Sequence, residues 1–511
     1  MPLHRDIHAL YDESLNRLES DMHTSIRPYR IDEVGLHAGK DSIWNSIYFH
    51  DYQKNKGLQD WVYRKLRRES FLFLDSAAFQ VSADPLLHFQ MGREVNNQRN
   101  TYVNTRGFLL KGNLGKKFSF YTSFYENQSV FPTYIDAQIH KNTVVPGQGI
   151  PKLFKNGFDY AMSTGYISYT PSRFVNFQFG NDKNFIGDGY RSLLLSDNSF
   201  NYPFFKITTT FWKIRYMNLY TQFTDIRAPH IFENGYRKKY GNFHYLDFNV
   251  RKRFSVGIFE AVIWQNSDSA GGRGFEWGYL NPVIFYRPVE FSVGSPDNAL
   301  MGLNFKFKIN DKNLLYSQVM IDEFLLKEVR AGKGWYANKQ AFQLGMKNFH
   351  LFGVNNLNFQ TELNYVRPFT YGHERVITNY AHYNQALAHP LNANFIESVS
   401  FLRYRYKSFF AEVKFMYALH GADTAGRNLG NDLYQPYSTA YSMYGNYLGN
   451  GLKTHLTYND IRIVYIVNPK TNLNIELGFS NRMSKNSLKT DISRYVYFGI
   501  RTSLQNFYYD F

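Results

Sequence analysis

The chain has 511 residues, of which 18% are aromatic (41 Tyr, 46 Phe, 6 Trp); that is more than a soluble core requires, and it suits a boundary where tyrosine rings meet lipid and their hydroxyls meet water. Cysteine is absent, which excludes disulfide frameworks, thiolate metal sites and cysteine nucleophiles. A formal charge of +16 favours an acidic partner such as lipopolysaccharide phosphates or an acidic polysaccharide, and the scatter of the basic residues excludes a nucleic-acid arm.

Met1 is followed by Pro2-Leu3-His4-Arg5-Asp6, without the basic stretch and apolar segment of a secretory signal, so the numbering reads as that of a mature chain. Ile7, Leu10, Tyr11, Leu15 and Leu18 fall at helical spacing, as do Leu58, Trp61, Val62 and Leu66. Two amphipathic helices are expected, joined by an irregular segment around Ile26-Arg27-Pro28-Tyr29. Helices are not tolerated beside a barrel wall at lipid depth unless enclosed, so residues 1–67 are expected to plug or cap the periplasmic mouth.

From about residue 69 the period changes to two. Leu303-Asn304-Phe305-Lys306-Phe307-Lys308-Ile309 puts apolar side chains on one face and polar ones on the other. The same alternation recurs in Phe118 to Tyr125, Phe243 to Val250, Leu402 to Tyr406, Ala411 to Tyr417, Leu473 to Phe479 and Tyr495 to Leu504. Short polar turns, such as Asn310 to Asn313 and Asn468 to Asn472, alternate with long stretches rich in Gly, Asn, Asp and Tyr. The long stretches fall at about 127–156, 184–201, 225–240, 266–281, 324–338, 367–396 and 418–457. No run of about 18 apolar residues provides a helical span. The fold class expected for residues 68–511 is therefore an all-β transmembrane, antiparallel outer-membrane β-barrel of about 18 strands, with extracellular loops and periplasmic turns.

The chain ends with Phe507, Tyr509 and Phe511 at two-residue steps, similar to the C-terminal signal by which barrel substrates are recognised for outer-membrane assembly.

Two blocks carry a family resemblance. Pro2-Leu3-His4-Arg5-Asp6, a helix and then Ile26-Arg27-Pro28-Tyr29 resemble the opening of Wzi-like capsule assembly proteins. Gly180, Asp182 and Lys183, then Gly187 and Gly189, then Ser192 and Ser196 resemble that family's Gly-Arg-Asp, Gly-x-Gly and Ser-Leu-x-Leu-Ser-Asx series. Asn181 departs from it where Arg is usual, and Ile186 to Asp188 replaces Trp-Gly-Pro. Phe243 to Leu246, Gly257 to Glu260, and Tyr279 to Pro282 through Glu290-Phe291 resemble the gliding-associated branch. The resemblance implies an 18-stranded barrel with a periplasmic helical plug, working at the cell surface on polysaccharide or adhesins.

No catalytic constellation, metal-ligand set or cofactor motif emerges. Gly187-Asp188-Gly189 lacks the Lys and following helix of a phosphate loop. Asp322-Glu323 sits at a strand end, where neighbouring carboxylates point to opposite faces. Two loops combine glycine, basic residues and tryptophan, with Arg273 and Trp277 in one and Arg330, Lys333 and Trp335 in the other. Aromatic faces stack on sugars and cations pair with uronate or phosphate; the competing reading places these tryptophans in the aromatic girdle and the cations on lipopolysaccharide. Arg287, Glu290, Arg403, Arg405, Glu412 and Lys414 are expected to form a lumen ion-pair lattice.

The expected function is a non-enzymatic surface protein that binds or organises surface polysaccharide, lipoproteins or adhesins in contact with outer-membrane lipid. The alternatives are a solute-diffusion channel or an accessory barrel of a larger outer-membrane complex.

Overall fold

The computed structural model describes residues 1–38, 58–227, 235–268, 271–282 and 297–511. Arg287, Glu290 and Phe291 lie outside the described residues. Within them, eighteen antiparallel strands form one closed barrel. The first, Phe79–Glu94, pairs with the last, Thr490–Thr502, bringing Glu94 opposite Tyr495 and His88 opposite Arg501. Closure gives every wall strand two partners, the condition for crossing a bilayer with β-structure.

Alternation sets the two faces of this wall. In the strand Asn298–Lys308, Leu303 and Phe307 are exposed on the outside. Asn304, Lys306 and Lys308 are buried inside, where Asn304 reaches the Ser25 hydroxyl and the Lys306 ammonium donates to the Thr24 hydroxyl. Outward Phe89, Leu344, Leu363, Phe415, Ile461, Ile463, Leu477 and Phe498 extend the apolar belt around the barrel. A closed wall with an apolar exterior makes this an integral outer-membrane protein.

The two ends differ. At one, strands join through turns such as 173–174, 212–213, 252–253 and 407–408. At the other, 131–156, 183–201, 367–394 and 423–451 are long connections, and only 95–98 and 486–489 are short among the described residues. Short turns mark the periplasmic end and long loops the extracellular end.

Residues 1–38 enter the barrel from the turn end. The expected first helix is split into Arg5–His8 and Asp12–Asn16, and each piece is held by its own wall contacts. Asp6 pairs with Arg462 at 2.7 Å and Asp12 with Lys347 at 2.7 Å. A further helix, Ile31–Ala38, was not legible in the sequence pattern. Ile26–Arg27 forms a two-residue strand with Phe185–Ile186, so this segment meets an extracellular loop inside the lumen.

Two expected placements need correction. Helix Leu58–Arg67 does not join the plug: it lies against the outer face of the wall, with the Arg67 guanidinium 5.4 Å above the outward Tyr465 ring and Asn468 donating to the Lys65 and Glu69 carbonyls. Its polar side found wall partners, and that geometry is set by tertiary contacts. Phe507, Tyr509 and Phe511 do not continue the last strand, which ends at Thr502. Residues 503–511 turn back into the lumen, because Asp510 finds Arg191 and Lys414 there at 3.1 Å each. Their two-residue spacing is therefore not a wall strand.

Candidate functional site: the filled lumen and the extracellular rim

Loop 183–201 descends through the lumen. At its head the Asp182 carboxylate accepts the Lys183 backbone N–H, and the Lys183 ammonium donates to the carbonyls of Gly147 and Asp197 at 2.7 and 3.1 Å. Gly180 lies where neighbouring backbone leaves no space: a Cβ there would meet the Gly165 carbonyl at 2.3 Å. At the bottom, Asp188 accepts hydrogen bonds from the Thr24 and Ser25 hydroxyls of the plug at 2.6 and 2.8 Å. Burial raises the Asp188 pKa, but the Lys306 ammonium and these hydroxyls outweigh it and leave it at about 2. Burial lowers that of Lys183 to about 8 against the attraction of Asp197 and Asp182.

Two glycines let the loop turn beside the wall. Gly187 has φ +151 and a Cβ there would lie 2.6 Å from the Gln318 amide nitrogen, while one at Gly189 would lie 2.3 Å from a Glu362 carboxylate oxygen. That carboxylate accepts the backbone N–H groups of Tyr190 and Arg191 at 2.8 and 3.1 Å. The Arg191 guanidinium then bridges Glu397 at 2.8 Å and Asp510 at 3.1 Å, fully buried. Ser192 receives the Leu194 N–H, and Ser196 receives that of Asn198. The motif residues thus serve to fold a loop.

Loop 367–394 closes over it. The Tyr371 and Tyr380 hydroxyls donate to the Leu193 and Leu194 carbonyls at 2.7 and 2.6 Å, and the Ser196 N–H donates to the Leu387 carbonyl. Leu193, Leu194, Leu195, Tyr371, Tyr380 and Leu387 join one buried apolar cluster with plug residue Ile26. His382 lies there against Phe223, its Nδ1 accepting the Thr224 backbone N–H and its Nε2–H donating to the Asn201 carbonyl; burial lowers its pKa to about 3.

The lumen charges form a lattice that also grips the plug. Arg403 and Glu412 face each other across neighbouring strands and bond directly, while Arg462 pairs with Glu412 at 2.9 Å and Arg5 of the plug with Glu412 at 2.5 Å. Lys414 is occupied by Asp510, and Arg405 lies 4.9 Å from the Phe410 ring. Beside the C-terminal tail remains a cavity of about 210 Å³, lined among others by Arg5, Tyr134, Tyr458, Glu476, Tyr497 and Tyr509.

At the rim, the sequence-selected residues separate. Arg330 and Lys333 are exposed and Trp335 is half-buried against Tyr336, in the loop that follows Asn313–Glu323 and includes the short helix Leu326–Ala331. Arg273 is engaged in a double hydrogen bond with Asp297 at 2.7 and 2.9 Å. Trp277 is 76% exposed, but its segment folds over the outside of the wall: Tyr220 donates to the Leu280 carbonyl, and Asn242 to that of Tyr279. Tyr279 packs there on Val262 and Trp264. Trp277 therefore lies on the outer side of the wall, and the structure does not bring it together with Trp335. Asp322 is bound by Lys339 at 2.9 Å and by the Tyr371 N–H, whereas Glu323 takes the other side of Lys339 at 3.2 Å.

Sequence reasoning missed Thr24, Ser25, Arg191, Glu362, Glu397 and Asp510. Of these only Arg191 falls within the block from Gly180 to Ser196 that the family resemblance marks.

The sequence matches no protein-family model and no curated protein. The fold is similar to that of Wzi of Escherichia coli, an outer membrane protein involved in group 1 capsule assembly and described as a carbohydrate-binding β-barrel. The likeness has a TM-score of 0.55 at 12% identity, over 99% of each chain. OprD of Pseudomonas aeruginosa aligns with a TM-score of 0.44 at 11% identity, over 84% of this chain and 98% of that one. OccK1 of the same organism aligns with a TM-score of 0.45 at 10% identity, over 82% and 98%. The first comparison extends the barrel fold to the full chain length.

Proposed function

We propose that this protein is a non-enzymatic outer-membrane barrel that binds surface polysaccharide through its extracellular loops. The observation that carries the reading is the occupied lumen. Plug residues 1–38, loops 183–201 and 367–394, and the tail 503–511 occupy it, joined by Asp188 to the plug, by Tyr371 and Tyr380 between the loops, and by the Arg191–Asp510 pair to the tail. A lumen filled by buried, hydrogen-bonded protein does not offer the wet path that conduction requires. The remaining polar surface of this membrane protein is the rim, where Arg330 and Lys333 supply positive charge beside Trp335, a chemistry suited to acidic sugars. The carbohydrate binding described for Wzi agrees with this reading. An adhesin or gliding-associated role rests on the resemblance of 243–246, 257–260 and 279–291 alone.

The test is retention of acidic surface polysaccharide by the purified protein, compared with a Lys333→Ala/Trp335→Ala variant. Reduced retention by the variant is expected. Absence of binding by the parent protein to every acidic glycan tried would overturn the reading.

The cavity beside the tail favours a second reading, a narrow solute path. Planar-bilayer recording separates the two: steady porin-scale current from the intact protein would establish the channel and remove the scaffold.

A further inference from the structure

Helix Leu58–Arg67 and strand Leu72–Asp75 form a feature that the polysaccharide reading does not use. The helix crosses the outside of the wall at the turn end, held by Asn468 and Tyr465, and the strand pairs with the start of the first barrel strand, Leu72 opposite Ala83 and Leu74 opposite Val81. Arg67 faces the wall. Trp61, Val62 and Leu66 are exposed at 44, 40 and 53%, as are Leu72 and Leu74 at 59 and 63%.

The helix therefore packs with its polar side on the protein and leaves its apolar side uncovered, the reverse of a soluble amphipathic helix. Its neighbour Tyr465 shares the outward face of strand Leu452–Asn468 with Ile461 and Ile463 of the acyl-facing belt, so the patch continues an interface that already meets lipid. Charge points the same way. Residues 58–69 include Arg64, Lys65, Arg67 and Arg68 against Asp60 and Glu69. The Lys65 ammonium lies 3.1 Å from Glu69, and Arg64 joins Asp60 to Glu69 at 3.0 and 2.6 Å, which leaves the segment with an excess of cations.

We infer that this segment is an interfacial anchor that lies in the headgroup and acyl boundary of the periplasmic leaflet, with anionic phospholipid as its ligand. Trp61, Val62, Leu66, Leu72 and Leu74 enter the acyl region, and the cations meet phosphate at the surface. Fixing the helix on the bilayer also fixes the entry of the first strand, beside the seam where the barrel closes.

The chain has no cysteine, so single-cysteine variants carry one spin label each. Val62→Cys and Leu66→Cys would be compared, in vesicles of phosphatidylethanolamine and phosphatidylglycerol, with Leu344→Cys on the lipid-facing wall and Lys312→Cys in an exposed turn. Relaxation by oxygen relative to a water-soluble nickel chelate reports depth. The expected ratio at 62 and 66 lies several-fold above that at 312 and approaches that at 344. A ratio at both positions equal to that at 312, with the 344 label still lipid-exposed, would overturn the anchor. Because the 344 label reports wall integrity in the same lipid, a misfolded barrel is distinguished from an exposed helix, and the outcome does not depend on glycan binding.

Discussion

The carboxylate of Asp510, one residue from the chain end, lies 3.1 Å from the guanidinium of Arg191 in the middle of loop 183–201. Both side chains are buried, and Arg191 also holds Glu397 while Asp510 accepts from Tyr190 at 2.8 Å. The terminus therefore ties the loop to the wall from inside. Around Asp510, the attraction of Arg191 and Lys414 outweighs burial and keeps its pKa far below the ordinary carboxylate value. Removing one partner of a buried pair leaves an uncompensated charge, so Asp510→Asn is expected to destabilise the protein by about 3–5 kcal/mol. Thermal unfolding in detergent checks the loss, and an unchanged midpoint would contradict the lock.

Gly189→Ala tests how loop 183–201 is seated. The added Cβ would meet Glu362 at 2.3 Å and the Arg191 carbonyl at 3.0 Å, where the backbone has little room to shift. A cost of about 1–3 kcal/mol follows from such overpacking. Gly272→Ala serves as the control, since nothing lies within 4 Å of its Cβ position; it should stay within about 0.5 kcal/mol of the parent.

Stability should fall on acidification. Burial lowers the pKa values of His4, His8 and His382 to about 3, below the unfolded 6.5. Between these values the unfolded chain binds more protons, so each histidine contributes stability that is lost as pH falls from 6.5 toward 3, at up to about 1.4 kcal/mol per unit. Asp188, at about 2 against an ordinary 3.8, adds a loss in the same direction between pH 3.8 and 2. Lys183 acts at the opposite end: its folded value of about 8 lies below 10.5, so its cost is fully present below pH 8 and is relieved as pH rises to 10.5. Urea midpoints at pH 7 and pH 4.5 measure the acid limb, and His382→Asn is expected to flatten it.

Trp277 and Trp335 should behave differently despite their similar sequence settings. Trp277→Ala, on the outer wall, is expected to leave polysaccharide retention unchanged, whereas Trp335→Ala with Lys333→Ala lowers it severalfold. Brominated phospholipids should quench the fluorescence of Trp277 and spare that of Trp335. Equal quenching of both would place the two loops in the same environment and remove the distinction.

Much of the architecture is local enough to be read from residues. Alternation at Leu303 to Lys308 assigns faces to a strand because consecutive Cβ atoms point oppositely, and repeating it between short polar turns and long loops requires a closed lipid-facing wall. The Arg403–Glu412 pair is legible for the same reason, since the two residues share the polar face of paired strands, whereas Arg405 stacks on Phe410 and Lys414 takes its partner, Asp510, from the tail. By contrast, whether an amphipathic helix turns its apolar side to protein or to lipid is not encoded in its periodicity, so the residues alone place Leu58–Arg67 in the plug although it lies outside. The tryptophan loops show the same limit, since composition does not say whether a loop rises from the rim or folds down over the wall.

An outer-membrane barrel of about 18 strands is legible from the residues alone, because that conclusion depends on a period repeated along the chain. The occupied lumen, the inward fold of residues 180–197 onto the plug and the return of the chain end to Arg191 emerge with the three-dimensional packing. Those contacts join residues such as Thr24 and Asp188, or Arg191 and Asp510, that are separated by 164 and more positions. A buried charge far along the chain selects its partner through three-dimensional proximity and desolvation, which no spacing rule contains.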